Sequence, residues 1–124
     1  MLVDDHALIR MGVSMILSSA AGIEVVGECA DGSEVLSRAS EVQPDVVLMD
    51  YRMPLVSGTD ATRQLMDTYP SIRVVILTAS GAGANVDKAV EAGAVGFVLK
   101  DGDPAMLVRA VRVVASGGTV WPAA

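Results

Sequence analysis

Five residues of this 124-residue chain are of types that can accept or hold a phosphoryl group, and each closes a short apolar run. Asp4 and Asp5 follow Leu2-Val3, Asp50 follows Val46 to Met49, Thr78 follows Arg73 to Leu77, and Lys100 follows Gly96 to Leu99. If those runs are strands of one parallel sheet, all five side chains converge on its carboxyl edge, where open α/β sheets carry their sites. Three carboxylates gathered there cannot all stay ionised unless a cation joins them. Oxygen donors select a hard ion, and Mg²⁺ takes one or two carboxylates and a phosphate oxygen while keeping several waters. A carboxylate beside such an ion and an ammonium can attack phosphorus and carry an aspartyl phosphate. Lys100 would then bind phosphate as a point charge, and Thr78 would donate its hydroxyl to a phosphoryl oxygen.

The elements that must position these residues follow one rhythm of apolar run, polar turn and amphipathic stretch. The strand-like runs are Leu2-Val3, Ile23 to Glu28, Val46 to Met49, Arg73 to Leu77 and Gly96 to Leu99. They are rich in Val, Ile and Leu and mostly unbroken, the pattern of strands covered by helices on both faces. Between them, apolar residues recur at helical spacing: Ile9, Val13, Ile16 and Leu17, then Val35, Leu36 and Ala39 before Pro44, then Ala61, Leu65 and Met66 before Tyr69-Pro70. A fourth helix is expected from about Asn85 to Ala92. The fifth takes Asp103 as N-cap and Pro104 as its first residue, buries Leu107, Ala110, Val111 and Val114, and stops at Gly117-Gly118. Strict alternation of five such pairs predicts an α/β domain around a parallel sheet. Residues 1–118 are expected to form that domain, with its first strand clipped at the N-terminus and residues 119–124 beginning a linker. Ser80 to Ala84 reads as a mobile loop.

Composition narrows the function classes. Apolar residues make up 52% of the chain and mean hydropathy is +0.49, enough for a packed core. No apolar run approaches the roughly 18 residues of a membrane span. Met1 to His6 carries two acids where a signal peptide needs basic residues. The one cysteine, Cys29, can neither close an internal disulfide nor build a zinc site, and reads as a small buried hydrophobe in a reduced, cytoplasmic setting. Net charge is −6 and only Lys88 and Lys100 are lysines, so no basic face is available for nucleic acid. His6 reads as ordinary sequence at a helix start, and Asp5 taken alone could equally be the N-cap of the first helix.

The chain resembles a response-regulator receiver domain of two-component signalling over essentially its whole length. The motifs that carry the resemblance are Leu2-Val3-Asp4-Asp5-His6, Asp45 to Asp50, Met53-Pro54, Ser57-Gly58, Leu77-Thr78-Ala79, Ala92-Gly93-Ala94 with Gly96-Phe97, and Leu99-Lys100-Asp101. The opening Asp-Asp-His and Gly96 to Lys100 are most similar to the NarL/FixJ subgroup, whose receivers precede a LuxR-type helix-turn-helix domain. The resemblance implies a flavodoxin-like (βα)5 sheet in the order 2-1-3-4-5. It implies Asp50 as phosphoacceptor from a sensor histidine kinase, Asp5 as direct Mg²⁺ ligand with Asp50, Asp4 acting through water, and the carbonyl of Arg52 as a further ligand. Thr78 and Phe97 match the switch hydroxyl and switch aromatic, and Lys100 the phosphate-binding lysine. Arg52 and Ser80 stand at positions thought to tune phosphate lifetime. The chain is then a switch that controls dimerisation and a DNA-binding output domain absent from it, rather than an enzyme with a turnover substrate.

Two other readings start from the same residues. A stand-alone receiver would act through protein contacts alone. A haloacid-dehalogenase-type hydrolase also uses a strand-end Asp and Mg²⁺, but it wants an acid two residues on, where Arg52 stands.

One feature is independent of the resemblance. Leu8, Met11 and Met15 form a second apolar stripe on the first helix, and Met106 and Val113 flank Arg109 on the fifth. Merged, these stripes would make a face for a symmetric homodimer.

Overall fold

The computed structural model describes residues 1–79, 83–100 and 102–122. Its elements alternate along the chain: β1 (Leu2–Val3), α1 (Ala7–Ser18), β2 (Glu28–Cys29), α2 (Val35–Val42), β3 (Val46–Asp50), α3 (Gly58–Thr68), β4 (Arg73–Thr78), α4 (Gly83–Ala92), β5 (Gly96–Leu99) and α5 (Pro104–Ala115). The strands form one parallel sheet in the order β2-β1-β3-β4-β5. The Ser80 to Ala84 loop expected from the sequence falls largely outside the described residues, as do Ser80 itself and Asp101.

Alternation along the unbroken apolar strands splits the core in two. Val3, Val47, Met49, Val74, Ile76 and Phe97 pack in a cluster with Val35 and Ala39 of α2, Ala61 and Leu65 of α3, and Ala89 of α4. Leu2, Leu48, Val75 and Leu77 pack on the other side with Val13 and Leu17 of α1 and Leu107, Val111 and Val114 of α5. Each central strand is therefore buried on both faces, which is why its sequence shows a run rather than an alternation.

The helix signals are realised locally. Asp103 accepts the Ala105 N–H at 2.9 Å as N-cap of α5, and Ser57 accepts the Asp60 N–H at 3.2 Å at the start of α3. Gln43, at φ 47°, ends α2 just before Pro44, and Gly117, at φ 99°, ends the turn after α5.

The expected second strand, Ile23 to Glu28, is corrected: only Glu28–Cys29 is strand. β1 offers just Leu2 and Val3 as partners, in register with Glu28 and Cys29, and the Leu2 N–H reaches Gly27 O at 3.0 Å. Residues 23–26 have no strand opposite them, so their apolar side chains instead line a groove of about 580 Å³ with Met1, Leu17 and Val111. That groove lies at the amino ends of the strands, away from Asp50. At the other edge Val120 bridges β5, accepting the Phe97 N–H at 2.8 Å, and Trp121 packs partly buried against the core. The packed structure thus runs beyond residue 118.

Candidate phosphoacceptor site

The site is built from the carboxyl ends of β1, β3, β4 and β5. Asp50 is the last residue of β3 and 5% exposed, and Asp4, just past β1, is 3% exposed. Main-chain bonds hold this edge in register. Asp4 N–H donates to Cys29 O at 3.1 Å, Tyr51 N–H to Leu77 O at 2.9 Å, and Lys100 N–H to Thr78 O at 2.8 Å. Arg10 of α1 donates to the Asp4 carbonyl at 2.7 Å and pairs with Glu28 at 3.0 Å, tying the helix to the ends of β1 and β2.

Lys100 brings the charges together. Its Nζ lies 2.8 Å from Asp4 Oδ2 and 2.9 Å from Asp50 Oδ1, with all three side chains buried. Burial pushes the Asp50 carboxyl up to about 6, with the Asp4 charge acting the same way and Lys100 opposing both. Burial would lower the Lys100 ammonium, but its two acid partners outweigh that and hold it above its usual value.

Asp5 is differently placed. The N-cap position of α1 is His6, so Asp5 does not cap the helix. Among the described residues, the buried Oδ1 of Asp5 accepts no hydrogen bond, with His6 Nδ1 3.3 Å away. Ligand atoms of Asp4, Asp5, His6 and Asp50 all lie within 4.8 Å of one another. An unsatisfied buried carboxylate oxygen beside two further carboxylates is what a hard divalent cation would satisfy, so the residues fit Mg²⁺.

Thr78 ends β4 and is 5% exposed. Phe97 is in register with Ile76, two residues before Thr78 on the same strand, and is 2% exposed in the core. The loop carrying Arg52 leaves Asp50 and returns at Gly58, where a Cβ would overlap the Asp50 carbonyl oxygen.

A family model described as the response regulator receiver domain matches residues 1–112. The chain belongs to the response regulator receiver family. The receiver is 40% identical over 117 residues to response regulator GacA of Pseudomonas viridiflava, covering 94% of this chain and 55% of that protein. It is 40% identical over 121 residues to the nitrate/nitrite response regulator NarP of Escherichia coli, covering 98% of this chain and 56% of NarP. It thus spans about half the length of these curated relatives. Among solved structures it is similar to the signal receiver domain of NarL from Mycobacterium tuberculosis, at 38% identity and a TM-score of 0.87, covering 94% of each chain. A LuxR-family two-component response regulator from Aurantimonas matches at 38% identity and a TM-score of 0.92, covering 96% of this chain and 85% of that one. These relatives are of the NarL/FixJ type that the sequence motifs resemble.

Sequence reasoning missed three supports of the receiver's site. His6 stands beside the acid pair, 3.4 Å from Asp4 and 3.3 Å from Asp5, rather than serving only as a helix start. Arg10 ties α1 to the end of β1. Asp31, buried in the turn after β2, accepts three main-chain N–H bonds, two of them from the loop after Asp50. Only the Asp31-Gly32 pair, a turn signal, marked that place in the sequence. On the candidate dimer face, Leu8, Met11, Met15 and Met106 are exposed, at 82%, 59%, 69% and 52%, and Arg109 is exposed too. Val113 is only half-exposed.

Proposed function

We propose that this receiver is a phosphoacceptor switch in which Asp50 takes a phosphoryl group from the phosphohistidine of a sensor kinase. The observation that supports it most is the Asp50 carboxylate, buried at a strand end with an ammonium 2.9 Å away and an acid cluster beside it. A carboxyl group titrating near 6 is largely ionised at neutral pH. Its oxygen attacks phosphorus, the bond to the donor's nitrogen breaks, and the electron pair leaves with the imidazole, giving an acyl phosphate. Lys100, already beside Asp50, holds a phosphoryl oxygen after transfer, and Thr78 donates its hydroxyl to another. Asp5 and Asp50 would hold Mg²⁺ directly, with Asp4 through water and the Arg52 carbonyl as a further ligand. When bound there, the ion offsets charge on the transferring group.

The curated relatives are about twice the length of this chain, and DegU of Brevibacillus brevis, 40% identical, is named a transcriptional regulatory protein. On that basis the change at Asp50 is proposed to act, in the cytoplasm, on a DNA-binding output and on homodimerisation through α1 and α5. The test is incubation with acetyl phosphate and Mg²⁺ followed by intact mass. One added phosphoryl group is expected, and none in Asp50→Asn. Labelling of Asp50→Asn at the wild-type rate would overturn the assignment.

A further inference from the structure

Asp31 is a buried acid that the phosphoryl chemistry does not use. Its Oδ1 accepts the Leu55 N–H at 3.1 Å, and its Oδ2 accepts the N–H groups of Ser33 at 2.8 Å and Val56 at 3.3 Å. Leu55 and Val56 belong to the loop that carries the chain from Asp50 to α3. The start of that loop is fixed on the sheet by the Tyr51 N–H bond to Leu77, and its end is closed by Gly58 N–H on the Tyr51 carbonyl at 3.0 Å. Residues 52–54 therefore bridge two footings, one on β3 and β4 and one on Asp31.

At Leu55 the second footing is held by main chain, since that side chain is 79% exposed; Met53 and Val56 also pack on the core. Gly32 admits the loop, because a Cβ there would overlap the Val56 carbonyl oxygen. The two loop amides fall on different oxygens of Asp31. An asparagine keeps one acceptor and turns its NH₂ toward the other donor, so a carboxylate is the side chain that satisfies both.

We propose that Asp31 is a positioning residue of the phosphoacceptor loop: its carboxylate fixes the carbonyls that follow Asp50 and so sets the Mg²⁺ affinity of the site without touching the ion. This rests on the Mg²⁺-dependent reading above. Removing a partner that orients a metal ligand from behind typically costs roughly 10–100-fold in metal affinity.

The experiment is an NMR-monitored Mg²⁺ titration of wild type, Asp31→Ala, Asp31→Asn and Gly32→Ala, each first shown to be folded. In the metal-free proteins the Leu55 and Val56 amide protons are expected to shift upfield and exchange faster in the Asp31 variants. The Mg²⁺ dissociation constant should rise about tenfold in Asp31→Ala and by less in Asp31→Asn. Gly32→Ala should raise it too, although every carboxylate remains. Acetyl phosphate labelling should return to near the wild-type rate at saturating Mg²⁺, because a loss confined to ion binding raises the requirement without lowering the limiting rate. A merely structural role would lower the melting temperature and leave Mg²⁺ affinity alone. Wild-type binding with equally tight binding by Asp31→Ala overturns the role of Asp31. Failure of wild type to bind Mg²⁺ overturns the reading of the site, and this one with it.

Discussion

Lys100 Nζ stands 2.9 Å from Asp50 Oδ1 and 2.8 Å from Asp4 Oδ2, so one buried ammonium serves two buried carboxylates. Removing a shared partner leaves both acids uncompensated, whereas removing one acid leaves an ordinary pair. Lys100→Met should therefore cost about 3 kcal/mol of stability in EDTA. Asp50→Asn should stay within about 1 kcal/mol of wild type, because it also relieves repulsion with Asp4. Urea denaturation of both variants checks this. Equal losses would show that Lys100 is not the group holding the acids together.

The two acids after β1 should not be equivalent toward Mg²⁺. Asp4 is committed within the protein: Oδ1 accepts the His6 N–H at 2.8 Å and Oδ2 faces Lys100. Asp5 Oδ1 has only the His6 ring 3.3 Å away, and no ammonium is paired with it among the described residues. Asp5→Asn should weaken Mg²⁺ binding and slow labelling by acetyl phosphate more than Asp4→Asn does. Titration of both variants decides it, and equal or reversed effects would sink the ranking.

Much of this was legible in the sequence, for reasons visible in particular residues. Val47 to Met49 and Val74 to Leu77 are buried on both faces, so those runs are apolar throughout and their ends fall where Asp50 and Thr78 stand. Asp103-Pro104 announced α5 because a cap and a preset φ are local chemistry. What failed was set by distant partners. Ile23 to Gly27 has strand composition, yet β1 is too short to pair with it. The bonds from Leu55 and Val56 to Asp31 join loops far apart in sequence, and no local pattern encodes them. The Val120 bridge to Gly96 was hidden in the same way.

Acid should reveal the Asp31 strut. Burial alone would raise this carboxyl, but the N–H donors of Ser33, Leu55 and Val56 outweigh it and hold the group below its usual range. An acid whose folded pKa is depressed contributes stability above its unfolded value and loses it as pH falls through the folded one. Asp31→Asn should thus be less stable than wild type at neutral pH, by a margin constant down to about pH 4 and shrinking below. Urea midpoints across that range give the margin directly. A margin unchanged by acid would mean that the charge on Asp31 contributes nothing.

Trp121 is the chain's single tryptophan, and it adjoins Val120, whose carbonyl accepts the Phe97 N–H. A rearrangement that runs from the phosphoryl group through Thr78 to Phe97 would reach this ring. Phosphorylation should change Trp121 emission in wild type. Thr78→Ala should take up the phosphoryl group by mass while losing most of that change. An unaltered emission response in Thr78→Ala would show that Thr78 does not carry the change to Phe97.

Self-association should run through the outer faces of α1 and α5. α1 and α5 pack on the same side of the sheet, with Val13, Leu17, Leu107 and Val111 in one buried cluster. Their outer residues are apolar beyond what that core requires: Leu8, Met11, Met15 and Met106 are all exposed. Methionines suit adaptable contacts, and a patch that meets its own copy closes a two-fold dimer. A charge placed there should abolish the dimer without disturbing the fold. Val113 is a poor site for that charge, because it is only half-exposed, beside the core residue Val114. Met15→Glu and Met106→Glu avoid the core. Sedimentation of the phosphorylated receiver should show a dimer in wild type and monomers in both variants. Dimers that survive both charges, or a wild type that stays monomeric at every concentration, would rule this face out.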